Sequence, residues 1–105
     1  MKPTIGRVVH YRLTAAQAQA MNARRDDAKL NSDKMREERP GFQAHVGNHC
    51  SEGSVVPLHI VVVWPGDPIK VNGQALLDGN DTLWVTSAQE GDGPGTWSWP
   101  PRVEG

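Results

Sequence analysis

Trp97 and Trp99 stand two residues apart in Thr96-Trp-Ser-Trp99, near the end of a chain of 105 residues that holds four Trp. On an extended strand this spacing puts both indoles on one face, about 6–7 Å apart. Flat rings so placed can stack on nucleobases, at about 1–3 kcal/mol each, or pack in a core or interface. Trp84 lies between Leu83 and Val85 and faces opposite to them. It is a candidate ligand platform or subunit contact, whereas Trp64, at the end of an apolar run, is expected in the core. Charge for an anionic ligand comes from Arg7, His10 and Arg12, with Arg102 near the end of the chain. Gly47-Asn48 and Gly91-Asp-Gly-Pro-Gly95 are loops whose backbone N–H groups can face an anion. Asn48 and its neighbour His45 therefore join the candidate ligand-binding set of Arg7, His10, Arg12, Trp84, Trp97 and Trp99.

Other constellations carry less. His45, His49 and Cys50 are zinc-type ligands, but the H-x3-H-C spacing is not a standard closed set and no fourth ligand is obvious, so no metal or cofactor is expected. Asp78 and Asp81 bracket Asp-Gly-Asn-Asp, where carboxylates cap the turn by accepting from its own N–H groups. The chain has no P-loop, GxGxxG, GxSxG or HExxH. No catalytic motif is present, and an enzyme is not expected.

The elements that must position these residues are short. Ile5 to Leu13 reads as a first strand, with Arg7, Val9, Tyr11 and Leu13 on one face and Val8, His10 and Arg12 on the other. Thr14-Ala-Ala-Gln17 matches a capping box and opens a helix, with Leu13 and Ala18 at the staple positions. Asn31-Ser-Asp33 reads as a break and a new N-cap, with a second short helix over Lys34 to Glu38. The helical insertion thus covers about residues 14–39. Beyond it, Gln43 to Val46 reads as a short strand. The continuous run Val61 to Val63, inside Val55 to Trp64, suits a strand buried on both faces or in a closed barrel. Gln74 to Asp78 and Thr82 to Thr86 form a hairpin in which Gly79 and Asn80 can take positive φ. Thr96 to Trp99 is a short last strand, stopped by Pro100-Pro101. The fold class is mainly β with a helical insertion (α+β). It is read as one small SH3-like or split β-barrel domain over 1–105, with the helix after strand 1 and an OB-like barrel as the alternative.

The net charge of −1 hides an asymmetry: residues 1–40 carry nine basic and five acidic side chains, and residues 41–105 two basic and seven acidic. The balance excludes a strongly basic nucleic-acid binder, but not one small anion held by a few placed residues. The longest apolar run is about half the roughly 20 residues that span a bilayer, and no secretory h-region is seen. A soluble protein with Cys50 reduced is expected. The 37% hydrophobic content and a helix face of small residues suggest a small core stabilised by association, hence a homo-oligomer.

The opening Pro3-Thr-Ile-Gly-Arg-Val-Val-His-Tyr11 and closing Gly95-Thr-Trp-Ser-Trp-Pro100 resemble small proteins of tailed bacteriophages and prophages with a GRIVHY-like start and a GTWHWP-like end. Ala44-His-Val-Gly-Asn48 and Leu77-Asp-Gly-Asn-Asp81 are similar as well. Ser98 stands where that group has His. The resemblance covers most of the chain outside the helical insertion and implies a phage accessory protein acting in the host cell cytoplasm, a class that often counters host defence. The expectation is a small binding protein that sequesters a nucleotide-type signal without catalysis. The alternative is a protein–protein inhibitor of a host defence enzyme (anti-CRISPR-like), or a virion accessory protein.

Overall fold

The computed structural model describes residues 1–38 and 45–103. In chain order the elements are β1 (Val8–Arg12), α1 (Ala15–Glu38), β2 (Val55–Trp64), β3 (Lys70–Leu76), β4 (Thr82–Gln89) and β5 (Trp97–Ser98). The strands pair antiparallel in the order β4-β3-β2-β1-β5. That arrangement leaves β5 running parallel to β4. The two edges approach in a single parallel bridge between Glu90 and Trp97, where the Gly91 N–H donates to the Trp97 carbonyl at 2.9 Å. The sheet is thereby curled into a half-barrel, and the chain is α+β, mainly antiparallel, with one helix after the first strand.

The alternation read in β1 holds: Val9, Tyr11 and Leu13 are buried inside the curl, while Val8 is 48% exposed on the outside. Leu58, Ile60, Val71, Ala75, Val85, Ala88 and Trp97 complete the core. The curl has two identifiable causes, both in the pairing of neighbouring strands. The register shifts between Ile60 and Val62 and again between Val71 and Gly73, and such irregularities increase bend and twist. Gly73 sits within this region because a Cβ there would fall on the His59 carbonyl and lie 2.9 Å from Leu58 Cδ1. Only glycine lets β3 approach β2 so closely.

Several expectations are corrected. Val61 is 42% exposed, and Val62 and Val63 are half-buried. The valine run is therefore not buried on both faces, because the half-barrel leaves its outer face uncovered. Trp64 is 49% exposed and outside the core; its Nε1 donates to Asn72 Oδ1 at 3.1 Å. The first strand begins at Val8 rather than Ile5, after a turn at Gly6 (φ 91°). Of the strand read over Gln43 to Val46, Val46 forms an isolated bridge with Gly79, and residues 43–44 lie outside the described residues. In the hairpin turn Gly79 takes positive φ, and Asn80 does not.

The capping box is present: the Gln17 N–H donates to Thr14 Oγ1 at 3.1 Å and the Thr14 N–H to Gln17 Oε1 at 2.9 Å. The Tyr11 hydroxyl donates to the same Oε1 at 3.0 Å. The break at Asn31-Ser-Asp33 does not occur, because α1 is continuous to Glu38. Asn, Ser and Asp lower helix propensity by only tenths of a kcal/mol each, less than the cost of nucleating a second helix, and no Gly or Pro intervenes. Ala18, Met21 and Arg25 are buried against the domain. From Asp26 to Glu38 the described side chains are exposed apart from half-buried Met35. No helix among the described residues is long and apolar enough to cross a membrane.

Candidate functional site

Strand parity puts Arg7 on the inner face with Val9 and Tyr11, just beyond the start of β1. Tyr11 pairs with Trp97 across β1 and β5, so Trp99 also lies on the inner side. The two features meet: the Arg7 guanidinium carbon sits 5.1 Å from the Trp99 ring centroid, within cation–π range. Trp99 meets Trp97 edge-to-face, with centroids 5.6 Å apart and planes at 89°. Its Nε1 donates to the Met1 carbonyl at 3.3 Å. Trp99 is half-buried and Arg7 exposed, whereas Trp97 is only 1% exposed and belongs to the core. Trp99 is thus the accessible member of the pair.

Beside this cluster opens a cavity of about 450 Å³, within the range of small-ligand sites. It lies between the Met1–Pro3 segment, the β2–β3 turn at 66–69, Glu90 and Trp97. Lys2, Asp67 and Glu90 line it, and none of the three has an ion-pair partner among the described residues. The Trp97 Nε1–H is buried without an acceptor. Sequence reasoning missed these three charged residues because no motif surrounds them and only the curl brings residues 2, 67 and 90 together.

His45 and Asn48 lie elsewhere, against the β3–β4 turn at the opposite end of the sheet. The Asn48 backbone N–H and side-chain amide both donate to Asp78 Oδ2 at 2.9 Å. The anion that the Asn48 N–H faces is therefore the protein's own carboxylate. The Asn48 backbone and side-chain bonds, then the Gly79 N–H and the Arg25 charge, hold the Asp78 carboxyl below its ordinary value. The His45 N–H donates to Asn80 Oδ1 at 3.3 Å and its carbonyl accepts from the Asn80 N–H at 3.0 Å. Gly47 and Gly79 are required here, since a Cβ on either would strike the facing backbone.

The same turn anchors α1. Arg24 Nη2 pairs with Asp81 at 2.6 Å, and buried Arg25 donates to the Asp78 carbonyl at 3.2 Å. Asn22 exchanges two bonds with the Cys50 backbone, at 2.8 and 2.9 Å. His49 Nε2 meets Asp26 Oδ1 at 2.7 Å. His49 and Cys50 are therefore both directed to α1, and no group of three metal-ligating side chains forms among the described residues.

The remaining candidates lie on the outer face. His10, half-buried, is in register with Pro57 and Ser98. Arg12 is engaged in the fold: its Nη1 donates to Ser98 Oγ at 3.0 Å and to the Gly91 carbonyl at 3.4 Å. The Gly91–Gly95 loop spends two of its N–H groups the same way, Gly91 on the Trp97 carbonyl and Gly95 on the Arg12 carbonyl. Trp84 is 47% exposed, in register with Gln74, which pairs with His59. The structure thus joins Arg7, Trp97 and Trp99 and separates them from His45 and Asn48 and from Trp84. Comparison with known proteins finds no matching family model, no matching characterised protein and no matching solved structure.

Proposed function

We propose that this chain is a phage-encoded small binding protein that counters host defence by sequestering a small nucleotide-type signal in the host cytoplasm, without catalysis. The phage origin rests on the resemblance of the two chain ends. The ligand class rests on one observation, the Arg7 guanidinium 5.1 Å from the half-buried Trp99 ring. A base stacks on the guanidinium–indole pair that Arg7 forms over Trp99, and the edge of the guanidinium takes the phosphate bidentately. Arg12, engaged with Ser98, has a smaller part in this reading, and Trp97 supports Trp99 from beneath. The reading includes self-association through the outer face, where Val8, Val55, Val61, Leu76 and Trp84 are each more than 40% exposed.

Calorimetry of the full chain against a panel of cyclic and ADP-ribose-type nucleotides tests the proposal. Binding at low micromolar concentration, lost in Arg7→Ala and Trp99→Ala, is expected, with the nucleotide recovered unchanged by chromatography. No binding at high micromolar concentration rejects it, and turnover replaces sequestration by catalysis. The second reading, an inhibitor of a host defence protein, is favoured by the exposed, charged distal half of α1. Charge-reversing Lys29, Asp33 and Lys34 separates the two, because it abolishes protein inhibition and leaves nucleotide binding intact.

A further inference from the structure

We propose that α1 is a detachable arm, which undocks as a unit while the half-barrel of β1 to β5 stays folded. The core of the half-barrel closes without it. Val9, Tyr11, Leu13, Leu58, Ile60 and the other members of the main core cluster lie in or beside the strands, and no described residue of α1 belongs to it. Among the described residues of α1 only Ala18, Met21 and Arg25 are buried, so two apolar side chains supply its packing. The rest of the seam is polar. Gln17 accepts from Tyr11, Asn22 meets the Cys50 backbone, and Arg24 meets the Asp81 carboxylate and the Thr82 carbonyl. Arg25 donates to the Asp78 carbonyl, and Asp26 faces His49. The seam is also incomplete, because the Arg25 Nε–H is buried with no acceptor among the described residues. An orphaned buried donor loses its bond to water and gains nothing in return on docking.

Such a seam holds weakly. Its hydrogen bonds replace bonds to water and add little net, and the Arg24–Asp81 and His49–Asp26 pairs are open enough to solvent to be screened. A protein helix owes most of its stability to the packing of an apolar face. Beyond Arg25 the described side chains are exposed apart from half-buried Met35, so the distal half adds little to docking. Once Met21 leaves its site, nothing in the seam retains the remaining turns. Opening bares Ala18, Met21 and Arg25, which share one helix face by their i, i+3, i+7 spacing. It leaves the strands in place, and with them the Arg7–Trp99 pair. The inference does not depend on what the half-barrel binds.

Native-state amide hydrogen exchange of the full chain, followed by NMR over a series of low urea concentrations, tests the proposal. The Met21 to Arg25 amides, in the docked half of α1, report its opening. The Ile60 amide, which donates to the Arg7 carbonyl at 2.9 Å, reports the half-barrel. The α1 amides should be less protected than Ile60 by about tenfold or more. Their urea slope should be under half that of Ile60, because the slope scales with the surface that opening exposes. Val71→Ala weakens the strand core, which stays folded when α1 opens. It should therefore speed Ile60 exchange by about tenfold or more and leave the α1 amides within about twofold of wild type. Met21→Ala destabilises only the docked form and should speed both. Equal protection with equal urea slope, or α1 amides accelerated by Val71→Ala as much as Ile60, overturns the proposal. The wild-type slopes decide alone if Val71→Ala fails to fold.

Discussion

Replacing Gly73 by Ala tests whether the curl of the sheet depends on a close approach of β2 and β3. The added Cβ would land on the His59 carbonyl, 2.9 Å from Leu58 Cδ1 and 3.0 Å from the His59 carbonyl carbon. Two of these three neighbours are backbone, held in place because His59 pairs with Gln74 and Ile60 with Gly73 itself. The strain cannot be relieved by a side-chain rotation, so β2 and β3 must separate or the bend must open. Overpacking of this kind costs about 1–3 kcal/mol. The lower entropy of an unfolded Ala chain offsets about 0.4–1 kcal/mol of it, and because the Cβ meets backbone at well under contact distance the net cost lies at about 1–2 kcal/mol. For a domain of this size each kcal/mol moves Tm by roughly 4–8 °C, so thermal unfolding followed by circular dichroism should show a fall of about 5–15 °C. Gly93→Ala is the control, because nothing lies within 4 Å of its Cβ, and it should change stability by less than about 0.5 kcal/mol. A Gly73→Ala protein melting within about 2 °C of wild type refutes this account of the bend.

Thr14→Ala removes the capping hydroxyl and should cost about 0.5–2 kcal/mol, read as a lower urea midpoint with unchanged slope. Asp78 titrates below its ordinary value when folded. Its stabilising contribution is therefore complete above the unfolded carboxylate value and lost as pH falls through and below about 4. Amide exchange at Asn48 should accelerate over that acid range in the wild type, and Asp78→Asn should remove this pH dependence. The His49–Asp26 pair is 61% and 68% exposed; His49→Ala should change stability by less than about 1 kcal/mol, and a larger loss would mean that this contact anchors α1. If the chain self-associates as proposed, Trp84→Glu should shift it toward monomer in light scattering, and an unchanged mass would remove Trp84 from the proposed self-association surface.

Local chemistry made much of this molecule legible in its sequence. The alternation of Val9, Tyr11 and Leu13 sets the inner face of β1 because strand side chains reverse every residue. Thr14 and Gln17 open α1 because both partners of the capping box lie within one turn, and Gly79 marks the hairpin because the turn needs its positive φ. Where the sequence misled, competing tertiary effects decided. Asn31-Ser-Asp33 looked like a stop, but weak propensities do not interrupt a helix that lacks Gly or Pro. Val61 to Val63 and Trp64 looked like core, but burial depends on what covers a face, and the outer face of the half-barrel is uncovered.

The sequence by itself determined the mainly β class, the start of the helix after the first strand and the shared face of Arg7 with the core residues of β1, since these follow from backbone sterics, capping and side-chain period. Only the tertiary structure decided that Trp97 is core and Trp99 accessible, that Arg12 and Asn48 are engaged within the fold, and that Lys2, Asp67 and Glu90 line one cavity. Those outcomes depend on how far the sheet curls. The curl arises from register shifts and one close backbone approach at Gly73, so contacts between distant residues settle it rather than any local pattern.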